Sequence, residues 1–140
     1  MEQVKTVGPL HYRLREVLDP DGLFIKVEVF TPIKGTPRGY WVISEYAPRW
    51  LSPDELRKRK FAKWVSKDST KRKCYPELKD AIKSFKRRKE CQASRLRLQL
   101  EQAELAVEKF ADYQNATVDD FRRGVNIGEI PSASGLVWDY

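Results

Sequence analysis

The chain has 140 residues, about one domain's length, with 41% hydrophobic and 11% aromatic residues. Four Trp, six Tyr and six Phe exclude wholesale disorder, and no apolar run approaches the roughly 20 residues of a membrane-spanning helix, so no membrane partner is expected. The formal net charge of +7 is unevenly spread: residues 57–97 carry seventeen Lys/Arg and four Asp/Glu, a net of +13, between a front of −1 and an end of −5.

Residues 10–18 alternate loosely, with Leu10, Tyr12 and Leu14 on one side. Residues 23–30 alternate more cleanly, with Leu23, Ile25, Val27 and Val29 sharing a face. Between them Asp19-Pro20-Asp21-Gly22 is a strong turn sequence, because Pro presets φ and Gly accepts a positive one. A hairpin follows from these three segments. Residues 31–39 are rich in Pro and Gly and read as a loop, and 40–46 as a third strand. Pro48 and Pro53 mark 47–56 as a connector. Lys60 to Ser66 reads as a fourth strand and Thr70 to Tyr75 as a short, very basic fifth.

A long helix is expected over 76–113, with Pro76 at its first position and Glu77 and Asp80 at the positive end of its dipole. Leu78, Ala81, Ile82 and Phe85 form one apolar stripe, expected to cover the sheet. The stripe falters at Lys89 and Gln92, then resumes at Leu96, Leu100, Ala103, Val107 and Phe110, spaced four, three, four and three. A helix of that length bends, breaks near 89–94, projects, or pairs with a second copy. Thr117 with Asp120 resembles a capping box opening a short helix over 118–123, closed by Gly124. The expected class is α+β: an antiparallel meander of four to five strands with a long C-terminal helix packed over it or projecting from it. Residues 1–124 would form the single domain and 125–140 a tail.

The basic segment has the first claim on function. Arg59, Lys60, Lys63, Lys71, Arg72, Lys73, Lys83, Arg87 and Arg88 are candidate phosphate contacts, with Trp64 a ring able to stack on an unpaired base. The plainer alternatives are a solvated face paired with the chain's own acids, or a surface for an acidic protein. Leu96, Leu100, Val107 and Phe110 are candidate partner contacts, for a host protein or for a homodimer through the long helix. Trp138 and Tyr140 in the tail are a candidate docking peptide.

Catalysis has little support, and the expectation is a non-enzyme without metal or cofactor. The chain has no P-loop, no dinucleotide fingerprint and no GxSxG. His11 stands alone in a strand pattern. Cys74 and Cys91 form no CxxC pair and read as reduced thiols. No basic-then-apolar segment opens the chain, so the expected location is the cytoplasm.

Residues 63–107 carry a further pattern: Lys63-Trp64-Val65-Ser66-Lys67, Lys71-Arg72-Lys73, Tyr75-Pro76, Ala81, Ser84-Phe85, Arg88-Lys89, Gln92, Leu96, Leu100 and Ala103-Glu104-Leu105. It resembles a group of small uncharacterised tailed-phage accessory proteins, over about a third of the chain. The resemblance implies a hairpin leading into a long amphipathic helix. It also implies a protein of the bacterial host's cytoplasm that binds host nucleic-acid enzymes or defence complexes, as anti-CRISPR and other anti-defence inhibitors do. The chain departs from that pattern at Glu77, where Thr or Ser would cap the helix.

Overall fold

The computed structural model describes residues 6–133, which fall into two units divided between Lys86 and Arg87. In the first unit, β1 (His11–Asp19), β2 (Gly22–Thr36), β3 (Gly39–Ser44) and β4 (Lys63–Ser66) make one antiparallel sheet in the order β1-β2-β3-β4. With the long helix α2 (Leu78–Lys109) the chain is α+β.

The β1–β2 turn forms where its sequence places it. Asp19 pairs with Gly22 across Pro20-Asp21, Gly22 takes φ +148°, and the Asp21 N–H donates to Asp19 Oδ1 at 2.8 Å. Residues 31–36, expected as loop, instead continue β2 and pair with β3 as far as Thr36↔Gly39. Pro32 is tolerated because its carbonyl, and therefore its missing N–H, points away from β3; that carbonyl accepts from Val7 N–H at 3.0 Å. β1 begins at His11, opposite Phe30, so no β1–β2 ladder bond is lost there. Ile33 makes a bulge between Pro32 and Lys34 and is buried.

Cross-strand partners share a face and neighbours along a strand alternate. One face gathers Phe30, Val42, Val65 and Cys74, with Tyr40 against them. The other gathers Ile33, Ile43, Leu56 and Ala62, flanked by Trp41, Ala47 and Leu51. Leu56 comes from a helix inside the expected connector, α1 (Pro53–Lys58). Ser52 caps it by accepting from Glu55 N–H, and Pro53 sits in the first turn, where it starts a helix rather than breaking one. The fourth strand begins at Lys63 rather than Lys60, since residues 59–62 close α1. The fifth strand reduces to one bridge, Tyr12↔Tyr75.

The outer part of the β1–β2 hairpin does not enter a core. Leu23, Ile25 and Val27 are exposed, and Leu18 is 80% exposed. The alternation there was legible, but among the described residues nothing packs on it.

α2 starts at Leu78, two residues after Pro76, with Asp80 and Ala81 N–H groups bonded to Glu77 C=O. It runs without a break through 89–94, and Phe110–Tyr113 finishes as a 3-10 turn. Its first apolar stripe covers little: Ala81 is buried, but Leu78 and Ile82 are each 49% exposed.

In the second unit, α3 (Val118–Arg123) has the expected reciprocal cap: Thr117 Oγ1 accepts from Asp120 N–H, and Asp120 accepts from Thr117 N–H. Gly124 ends it at φ +91°. The following residues return along α2. Tyr113 OH donates to Asn126 C=O, Gly128 abuts Leu105, and Ser132 donates twice to the Glu101 carboxylate. The second half of the expected tail lies outside the described residues, Trp138 and Tyr140 with it.

Candidate nucleic-acid interface

The basic residues 67–75 form a strap from the end of β4, on one edge of the sheet, to Tyr75 beside β1. Its first anchor is Lys67. The Lys67 N–H donates to Arg38 C=O at 2.8 Å, its ammonium donates to Thr36 C=O at 3.0 Å, and Lys67 Nζ lies 4.6 Å from the centre of the Tyr40 ring. The second anchor is Tyr75, which is buried. Its hydroxyl donates to Thr70 C=O at 2.7 Å and accepts from Arg72 N–H at 3.2 Å. Tyr75 therefore organises the strap and offers no ring for stacking on a base. Cys74, fully buried among Phe30, Val42 and Val65, fastens the strap to the sheet.

Around that anchor the cations converge. Arg13 donates to Lys73 C=O at 2.8 Å, and Lys73 Nζ lies 5.9 Å from the Phe30 ring centre. Arg72 lies over the Tyr75 ring at 5.6 Å. The charges of Lys73, Arg13 and Arg72 all reach the Cys74 thiol, and Glu28 is the opposing charge there. Lys63 pairs with Val42, so it joins the same face at its β4 edge. Among the described residues, Arg13, Lys63, Lys67, Arg72 and Lys73 form no ion pair with a carboxylate.

The rest of the expected basic site is not gathered there. Trp64 pairs with Trp41 and so lies on the opposite face, 45% exposed, its ring over Gly39. Arg57 stacks on Trp41 at 4.7 Å on that side. Arg59 is paired with Glu55 at 3.3 Å. Lys60 is exposed at a left-handed turn, φ 64°. Lys71 is exposed and engaged within the chain, and Lys83 is exposed on α2. Arg87 and Arg88 belong to the second unit. Arg13 was missed because it sits in the near-neutral front. The signal that marks it is the strand parity that puts Arg13 on the face of His11 and Phe30.

The Cys74 thiol and the His11 ring are both buried. Burial pushes the Cys74 thiol up to about 12, despite the nearby cations, so it is protonated at neutral pH. His11 is buried, with Nδ1 2.9 Å from Pro9 C=O and its ring edge-on to Tyr40. Burial lowers its pKa, overcoming the Pro9 contact, and Arg72 lowers it further. Among the described residues no cluster of three His, Cys, Asp or Glu is placed to hold a metal, and no helix is long and apolar enough to cross a membrane. No family model matches the chain, and no curated protein or solved structure matches it.

Proposed function

We propose that the strap and its flanking cations bind the phosphate backbone of nucleic acid, and that the protein acts by binding rather than by catalysis. The observation that carries this reading is the convergence of Arg13, Lys63, Lys67, Arg72 and Lys73 on one face, without carboxylate partners among the described residues. Isolated surface lysines are held by nothing. Here the strap's backbone is fixed at both ends and at Cys74, so the charges are presented in a defined arrangement. Backbone contact requires only such cations, and each phosphate neutralised releases counterions. The likeness of residues 63–107 to tailed-phage proteins agrees with an accessory protein of this kind.

The test is fluorescence anisotropy of labelled DNA and RNA oligonucleotides over a salt series. Five cations engaging five phosphates give a slope of log K against log salt of roughly −4. Lys63→Glu is the informative variant, because the Lys63 side chain is exposed and, among the described residues, makes no hydrogen bond or ion pair. It lowers affinity roughly tenfold and flattens the slope by about two, since one cation is lost and one repulsion gained. Affinity indifferent to salt, or a Lys63→Glu protein that binds like wild type, overturns the reading. So does binding of polyglutamate in place of both oligonucleotides.

A further inference from the structure

The second half of α2 carries Leu98 and Leu105 on one side and a longer apolar stripe on the opposite side, and among the described residues the stripe is left exposed. Leu98, Glu101 and Leu105 lie on the side where residues 126–132 return, and all three are half-buried. Leu96, Leu100, Ala103, Val107 and Phe110 lie on the opposite side and are exposed, Val107 at 82% and Phe110 at 74%. An apolar stripe at helical spacing is the face by which a helix packs on a neighbour. The four-three alternation is the seam of a coiled coil, with Leu100 and Val107 at one core position and Leu96, Ala103 and Phe110 at the other.

We propose that this stripe pairs with the same stripe of a second copy, antiparallel, with Leu100 against the partner's Ala103 and Leu96 against the partner's Val107. Two independent features choose this occupant and this direction. The first is size. In the antiparallel register a large side chain meets a smaller one in each layer, ending with Ala93 opposite Phe110. A parallel register would stack Ala103 on Ala103 and Phe110 on Phe110, leaving a void at one layer and a clash at another. The second is charge. Arg97 and Glu104 flank the seam on the same edge, both exposed and without an ion pair among the described residues. Antiparallel pairing brings Arg97 beside the partner's Glu104, and two-fold symmetry makes the contact twice. A parallel pair leaves the two charges a full heptad apart.

The inference does not rest on nucleic-acid binding, and its test excludes that binding. Full-length protein, purified with nuclease and high salt, is taken by analytical ultracentrifugation from micromolar to millimolar concentration. A two-chain mass is expected. Leu100→Arg, a change at an exposed position, gives one-chain mass with an unchanged circular dichroism spectrum. Arg97→Glu alone turns both attractions into repulsions and weakens association roughly tenfold. The double variant Arg97→Glu with Glu104→Arg restores it. A one-chain mass for wild type overturns the proposal, and so does a dimer that Leu100→Arg leaves intact. A dimer indifferent to the charge reversal, or one the double variant fails to restore, overturns the antiparallel pairing.

Discussion

Lys60 shows what a single residue contributes against its own conformational preference. It follows α1 at the position where glycine usually ends a helix. Its N–H bonds to Arg57 C=O at 3.1 Å, and the next N–H, Phe61, bonds back to Leu56 C=O at 2.9 Å. The geometry demands a left-handed backbone, and Lys60 adopts it at φ 64° although a side chain is strained there. Glycine would relieve that strain. Lys60→Gly is therefore expected to raise stability by about 0.5–1 kcal/mol in urea unfolding. If Lys60 also touches phosphate from its place before β4, the same variant lowers oligonucleotide affinity severalfold, so the two readouts move in opposite directions. A variant that gains stability and keeps full affinity removes Lys60 from the interface.

At the scale of elements, β4 depends on Gly39. A side chain there would run into the Trp64 ring, 2.7 Å from the position of a Cβ, and into the Val65 carbonyl. A ring can shift, but that carbonyl belongs to the strand paired with Gly39, so β4 itself has to move. Gly39→Ala is expected to cost about 2 kcal/mol and to change the emission of Trp64, both read in one fluorescence-monitored unfolding experiment. Unchanged stability would mean that β4 is held mainly by α1 and the strap. The elements also mark what was readable in the residues alone. The β1–β2 turn and the Thr117 cap were readable because their causes are local, a preset φ or a side chain bonding three residues on. The Ser52-Pro53-Asp54-Glu55 start of α1 was equally local, and was hidden only by taking Pro53 as a breaker. The extension of β2 through Pro32 was not readable, because it depends on which way one missing N–H points, and the β2–β3 register decides that. The positions of the cations were plain. Their division between two faces of the sheet, and the entry of Arg13 among them, followed from pairing registers that no single segment encodes.

At the scale of the whole molecule, the two proposals make a joint prediction that neither makes alone. The strap lies in the first unit and the exposed seam in the second. If the seam joins two copies, one particle carries two straps. A strand long enough to reach both then binds its second strap at the effective concentration set by the tether, which strengthens binding by about 10²-fold over a strand that reaches only one. Affinity should therefore rise stepwise with oligonucleotide length in the wild-type protein. Leu100→Arg should abolish the step while leaving the affinity for the shortest oligonucleotide unchanged, because Leu100 is no part of the strap. The comparison is read by titrating a length series against both proteins at one salt concentration. A step that survives in the one-chain variant would place the second contact within a single chain. No step in a wild-type dimer would mean that the two straps cannot be bridged by one strand, and that dimerisation serves something other than avidity.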